Sequence, residues 1–254
     1  MSSRCLEEAL YEMAGPAELF DLSGKAVLVT GGGRGLGRAI VQGCAEAGAD
    51  VIIASRNLEA CEQAARAVQD STGRSAHARR LHVGHWDEIA DFATDAWGLF
   101  GKIDVLVNNA GMSPLYDDVR NVTEDYWDKV IGVNLKGPFK LCAEIGSRMA
   151  EAGGGSIINI STLASLGPTS DTIPYGAAKA GLNAMGIGFA RTWPRRVRVN
   201  TIVPGAFRTD VTRHWPSIPK GIGEPDEIVG AAIYLASDAS SYTTGAEIRV
   251  AGHA

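Results

Sequence analysis

A chain of 254 residues, 45% hydrophobic and 21% charged, has the make-up of an ordinary globular protein with enough apolar mass for a sizeable core. Its formal net charge of −5 supplies no basic footprint, which sets aside nucleic acid as a partner. No apolar run is long enough to cross a bilayer, which sets aside a membrane span.

Residues 1–20 carry acidic side chains and no continuous apolar stretch, so they do not read as a secretory signal. They read as an N-terminal extension before one domain over residues 21–254. Cys5, Cys44, Cys61 and Cys142 form no C-x-x-C pair; they are expected to be free thiols in a reducing compartment, which implies a cytoplasmic location.

The pattern opens on a strand-like run, Ala26–Val29. Thr30-Gly31-Gly32-Gly33-Arg34-Gly35-Leu36-Gly37 follows it and opens a helix predicted over Leu36–Ala47. Gly31 permits a tight turn, while Gly35 and Gly37 let a pyrophosphate and the helix approach the backbone closely. The helix start offers free N–H groups and a positive dipole end to phosphate. A strand before this loop and a helix after it are the context in which such a turn binds a dinucleotide.

The second strand, Val51–Ala54, ends in Ser55-Arg56-Asn57, where an NAD-binding domain usually places Asp or Glu for the ribose 2′-hydroxyl. No acid here repels a 2′-phosphate. Arg56 can pair with one, Ser55 can donate to it, and Arg34 adds a second cation, so NADP(H) is the expected cofactor. A helix is predicted over Leu58–Val68 and another over Trp86–Phe100. A strand over Val105–Val107 then leads into Asn108-Asn109-Ala110-Gly111, whose small and amide residues line the cofactor and hold neighbouring backbone.

A long helix is predicted over Thr123–Met149, and strands over Ile157–Ile160 and Val199–Val203. Between these strands lies a helix over Tyr175–Thr192 that opens on Tyr175-Gly176-Ala177-Ala178-Lys179. Lys179 is one turn beyond Tyr175 on the same face. Tyrosine titrates near ~10, and an adjacent cation favours tyrosinate, which suits proton transfer near neutral pH. A last helix, Asp226–Leu235, precedes a weaker strand, Glu247–Val250. Strands alternating with helices imply a parallel α/β sheet, and continuous Val/Ile runs imply strands covered on both faces.

These motifs, with Asn134 in Val133-Asn134-Leu135 and Arg198-Val199-Asn200…Pro204-Gly205, resemble the short-chain dehydrogenase/reductase family over roughly residues 22–250. The resemblance implies a single-domain, Rossmann-type doubly wound parallel sheet of about seven strands with helices on both faces. It implies hydride transfer between NADP(H) and a carbonyl or alcohol, and a homotetramer or homodimer. Tyr175 is then the acid/base, Lys179 holds the nicotinamide ribose, and Asn134 holds a water that relays protons. Pro204, Gly205 and Thr209 face the nicotinamide. His82 and Val83, in Leu81-His82-Val83-Gly84, flank the adenine at the end of a third strand.

The family's carbonyl-orienting serine falls, by position, on Thr162, with Ser161 beside it as the alternative. His82 and His85 lack a clear third partner, and no metal is expected. The segment from Ala206 to Gly221 reads as a short lid. Phe207, His214 and Trp215 are either pocket walls or lid anchors, and Leu115, Tyr116, Leu163 and Pro168 are candidate apolar lining. The leading expectation is reduction of a ketone or 3-oxo group. The alternatives are a secondary-alcohol dehydrogenase working oxidatively and a cofactor-binding redox sensor with little turnover.

Overall fold

The computed structural model describes residues 15–210, 212 and 221–252. Most of the expected N-terminal extension lies outside the described residues; its last part is a single helical turn, Pro16–Leu19. Seven strands form one sheet: β1 Ala26–Thr30, β2 Asp50–Ser55, β3 Ala76–Arg80, β4 Val105–Asn108, β5 Gly155–Ile160, β6 Val197–Pro204 and β7 Glu247–Val250. All pairs are parallel, in the order β3-β2-β1-β4-β5-β6-β7. The chain builds outward from β1 to β3, then returns to β4 on the other side of β1. The carboxyl ends of β1 and β4 therefore border the crevice where open α/β sheets bind ligands.

Among the described residues, seven helices cover the sheet: α1 Gly35–Glu46, α2 Leu58–Thr72, α3 Ile89–Phe100, α4 Glu124–Ile131, α5 Gly137–Glu151, α6 Ile173–Ala190 and α7 Val229–Ala236. Strand alternation sends neighbouring side chains to opposite layers. Val27, Val29, Val51, Ile53, Val105 and Val107 pack with Ile40, Cys44, Ala64 and Ala232 of α1, α2 and α7. Leu28, Ile52 and Leu106 pack with Phe92, Leu141, Ile145 and Met149 of α3 and α5. Cys44, Cys61 and Cys142 are buried free thiols, and burial pushes Cys44 and Cys142 up to about 12.

β3, expected from the resemblance but not marked by an apolar run, reads Ala-His-Ala-Arg-Arg; it is the sheet edge, with most side chains only part-covered. The structure corrects one expectation. The long helix expected over Thr123–Met149 is broken. Between α4 and α5 lies a π-turn, Gly132–Lys136, in which the Gly137 N–H donates to the Gly132 carbonyl. Pro138 has no N–H to return to Asn134, so a regular α-ladder cannot run through this point.

Gly137 lies where α5 crosses the chain after β3, and a Cβ there would strike the Val83 carbonyl. Gly137→Ala should therefore lower stability by about 1–3 kcal/mol, the cost of overpacking a tight contact. A urea denaturation curve with an unchanged midpoint would contradict this.

Candidate active site

A cleft of about 1120 Å³ opens at the carboxyl ends of the strands. Its cofactor end is built on Thr30, the last residue of β1. The Thr30 hydroxyl accepts from the Asn109 and Ala110 backbone N–H groups at 3.0 and 3.1 Å and donates to the Val107 carbonyl at 3.2 Å. The Asn109 side-chain amide returns to the Thr30 and Gly31 carbonyls at 2.8 and 3.2 Å. The glycine turn is thus fastened to β4 from both sides. Gly31 and Gly35 hold φ of +68° and +55°, the left-handed region glycine tolerates. A Cβ at Gly37 would collide with the Gly31 carbonyl and the Asn109 amide. No side chain caps α1 at Arg34, so its first-turn N–H groups are open to an anion.

At the end of β2 the Ser55 hydroxyl donates to the Asn57 carbonyl at 2.9 Å, so its proton is spent inside the loop rather than held out to a ligand. Arg34 and Arg56 border the cleft, and neither forms an ion pair with a described residue. His82 and Val83 form the wall beside them. The His82 ring accepts from the Gly84 N–H at 3.1 Å through Nδ1 and stacks on His85 at 4.0 Å. Burial, then the His85 and Arg56 charges, hold His82 below its ordinary range, which favours the neutral ring. A glycine cradle, open amides and two cations without ion-pair partners fit a dinucleotide carrying an extra phosphate.

The other end gathers Thr162, Tyr175 and Lys179. Tyr175, in the first turn of α6, faces Thr162; burial pushes its hydroxyl up, and the nearby Thr162 side chain partly opposes the shift. Thr162 and Ser161, left as alternatives by the sequence, are separated by their contacts. Thr162 faces Tyr175, whereas the Ser161 hydroxyl points to the Lys179 carbonyl at 3.5 Å. Lys179 is buried; its Nζ donates to the Ile160 carbonyl at 2.7 Å, and burial pulls its pKa down to about 8. Asn134 is the one expected catalytic or cofactor-binding residue that does not border the cleft. From the π-turn its amide donates to the Met112 and Val130 carbonyls at 2.8 and 2.9 Å and accepts from the Met112 N–H at 3.2 Å. It braces the chain after Gly111 from beneath.

Pro204, Gly205 and Thr209 border the cleft, and the Thr209 methyl lies where a Cβ on Gly35 would sit 3.5 Å away. Phe207 is an anchor: its ring is buried with the α1 and α7 layer, although it still borders the cleft. His214 and Trp215 lie outside the described residues. Leu115 and Leu163 line the cleft as expected, but Tyr116 and Pro168 do not. The Tyr116 hydroxyl is consumed bracing the loop before α6, donating to the Ser170 carbonyl at 2.9 Å and accepting from the Ile173 N–H at 3.1 Å. Pro168 packs where a Cβ on Gly176 would fall. Met112, Ser113, Thr169, Asp171 and Thr172 also line the cleft and were missed. Only their closeness in sequence to Gly111 and Tyr175 signals them.

Residues 25–218 match the short chain dehydrogenase family. The chain is 37% identical to a 3-oxoacyl-(acyl-carrier-protein) reductase of Chlamydia trachomatis, covering 91% of this chain and 97% of that one. It is also 37% identical to a D-threitol dehydrogenase of Mycolicibacterium smegmatis, covering 92% of this chain and 94% of that one. The crystal structure of an NADPH-dependent 3-quinuclidinone reductase from Rhodotorula rubra superposes with a TM-score of 0.86 at 28% identity, covering 95% of this chain and 97% of that one.

Lys179 yields a test that needs no substrate. Its folded pKa of about 8 lies below the ordinary 10.5, so the unfolded chain binds more protons between those values. Relative to Lys179→Met, wild-type stability should rise with pH across that window. An NMR titration of ε-labelled lysines should show one amine with a midpoint of about 8. A full set of ordinary surface midpoints would contradict the burial.

Proposed function

This chain is a member of the short-chain dehydrogenase/reductase family, and we propose that it is an NADPH-dependent reductase of a ketone or 3-oxo group. The observation that carries this reading is the buried Lys179, held on the Ile160 carbonyl one helical turn from Tyr175, with Thr162 facing Tyr175 in the same cleft as the glycine cradle. The relatives' names support it: one is a 3-oxoacyl reductase and another an NADPH-dependent ketone reductase.

When bound, NADPH supplies a hydride to the carbonyl carbon. Tyr175 gives its hydroxyl proton to the carbonyl oxygen, so the ketone leaves as a secondary alcohol. Thr162 donates a hydrogen bond that fixes that oxygen beside Tyr175. Lys179 holds the nicotinamide ribose and, as a cation, steadies the tyrosinate left behind; Asn134 shapes the proton path beneath it. Arg56 and Arg34 would hold the 2′-phosphate and the turn from Gly31 to Gly37 the pyrophosphate. His82 and Val83 would contact the adenine, Asn109, Ala110 and Gly111 the ribose, and Pro204, Gly205 and Thr209 the nicotinamide.

Burial keeps Tyr175 protonated in the free enzyme, the form reduction requires. Oxidation of an alcohol uses the same residues in reverse and needs tyrosinate. We place the enzyme as a homodimer or homotetramer through α4–α6, where Trp127 and Phe139 are 41% and 45% exposed. Gly181 on α6 packs against Leu135 within the chain, whereas Gly188 faces open space.

Initial rates of NADPH oxidation over a broad ketone panel test the reading, with NADH in parallel. Tyr175→Phe should cost about a hundred- to ten-thousand-fold in kcat. Thr162→Ala should cost on the order of a hundredfold, Thr162→Ser should retain turnover, and Ser161→Ala should matter little. Loss in Ser161→Ala with normal rates in Thr162→Ala would reverse the assignment. Arg56→Ala should shrink the NADPH-over-NADH preference on the order of tenfold, the worth of one charged hydrogen bond. Ketone reduction should fall only at alkaline pH, as Tyr175 ionises, while alcohol oxidation rises on the same limb. Saturable NADPH binding without turnover of any carbonyl would favour a redox sensor.

A further inference from the structure

The substrate end of the cleft carries a carboxylate that the proposed chemistry does not use. Asp171 borders the cleft four residues before Tyr175, alongside the hydroxyl residues Ser113, Thr169 and Thr172. It is held in place. The Tyr116 hydroxyl grips the chain on both sides of it, at the Ser170 carbonyl and the Ile173 N–H. The Tyr116 ring is set edge-on to Tyr126 at 5.8 Å, and Tyr126 is in turn hydrogen-bonded to the Pro114 carbonyl. Thr169 donates to Asp171 Oδ1 at 2.6 Å, and no described residue donates to Oδ2.

Among the described residues, Arg34, Arg56 and Lys179 are the lysine and arginine cations bordering the cleft, and Asp171 and Asp210 are its carboxylates. Arg34 and Arg56 follow β1 and β2, Asp171 belongs to the loop after β5, and Asp210 follows β6. β5 is three strand spacings from β2, about 14 Å, and two from β1, about 10 Å. Both exceed the screening length of about 8 Å at physiological salt. Lys179, the remaining cation bordering the cleft among the described residues, spends a donor on the Ile160 carbonyl. It lies six residues into α6, about 9 Å along the axis from the helix start.

We propose that Asp171 is a specificity-determining residue that selects ketones carrying a hydrogen-bond donor beyond the carbonyl, a hydroxyl or an ammonium group, and selects against carboxylates. This rests on the ketone-reductase reading. A donor on the substrate completes the second oxygen of Asp171 at a site already ordered to receive it. An anionic substrate meets a fixed like charge there, with both arginines out of range. Tyr116 acts as a positioning residue through the loop it grips.

The test uses the full-length protein with saturating NADPH and four matched ketones: cyclohexanone, its hydroxy analogue, its protonated ring-amine analogue N-methylpiperidone, and its carboxylate analogue. The hydroxy or the amine ketone should exceed cyclohexanone in kcat/KM on the order of tenfold, and the carboxylate should fall below it by a similar factor, the size of one charged hydrogen bond. Preference for the hydroxy ketone would name a polyol or ketose class; preference for the amine would name a basic ketone. Asp171→Asn should collapse the spread, Asp171→Glu should keep its order, and Tyr116→Phe should narrow it through KM rather than kcat. A carboxylate ketone used as well as cyclohexanone, or a spread that survives in Asp171→Asn, overturns the proposal. If no ketone is turned over, the reductase reading fails by itself. Binding of the same four compounds to the NADPH complex, followed by cofactor fluorescence, then decides on Asp171: the same Asp171-dependent order supports it, and equal affinities overturn it.

Discussion

Burying a lysine ammonium sets the terms for the rest of the site. An isolated cation in a protein interior is expensive unless it is paired or hydrogen-bonded. Lys179 finds its partner in the carbonyl of Ile160, the last residue of β5. That contact requires α6 to run close past the end of β5, and the bond from Ser161 to the Lys179 carbonyl joins the same two segments. Once α6 is seated there, Tyr175 has little freedom: one turn back along the helix brings it over the cleft beside Thr162. The neighbouring chain is fitted to the same demand. A Cβ on Gly111 would lie 3.0 Å from Asn134 Oδ1 and 3.7 Å from Lys179 Nζ. A larger residue there would press on both groups at once.

β4 joins this centre to the cofactor end. Its last residue, Asn108, and the next, Asn109, point to opposite sides, as alternation along a strand requires. Asn108 is buried and donates to Asn159 of β5 and to the Cys142 thiol. Asn109 turns the other way and holds the glycine loop after β1. Two consecutive amides therefore tie the centre of the sheet to the cradle that fits the cofactor phosphates. Asn134, one layer below, fixes the chain just beyond them through Met112. The π-turn exists at the place where an asparagine must reach two carbonyls and a proline forbids the regular ladder.

The apolar runs made most of this legible. β1, β2, β4, β5 and β6 lie between two packed layers, and each carries an apolar run, Ala26–Val29, Val51–Ala54, Val105–Val107, Ile157–Ile158 or Ile202–Val203, that its sequence shows. β3 lies at the edge, half-covered, and its alternating Ala/His/Arg pattern carries no such mark. The glycine cradle was readable because each glycine answers a backbone requirement, a positive φ at Gly31 and Gly35 and a close approach at Gly37. The Tyr175 to Lys179 spacing was readable because four residues is one helical turn. Side-chain purposes that depend on tertiary contacts were not. Tyr116 suggested pocket lining and Phe207 left wall and anchor open, yet one is a loop clamp and the other a core anchor that still borders the cleft. Asp171 had no local signature, because its importance lies in which opening it borders.

Counting positions placed Thr162 first and left Ser161 beside it, and local backbone geometry separates what the two side chains face. The Ser161 N–H still donates to the Ile202 carbonyl, so the chain is strand-like up to that point. Thr162 continues extended, with φ −168° and ψ 156°. Successive side chains of an extended chain face opposite ways. With Ser161 committed to the α6 backbone, the next side chain must face the cleft, and that one is Thr162. Exchanging their roles would take a one-residue slip, which would also break the Ser161 pairing with β6. The branched Thr162 side chain is stiffer than a serine at this point. Its hydroxyl already accepts from the Ala164 N–H at 3.3 Å, which caps the short turn that follows and holds the oxygen facing Tyr175 before any substrate arrives. The extra methyl narrows the pocket, and the same branching limits the rotamers that could turn the hydroxyl away.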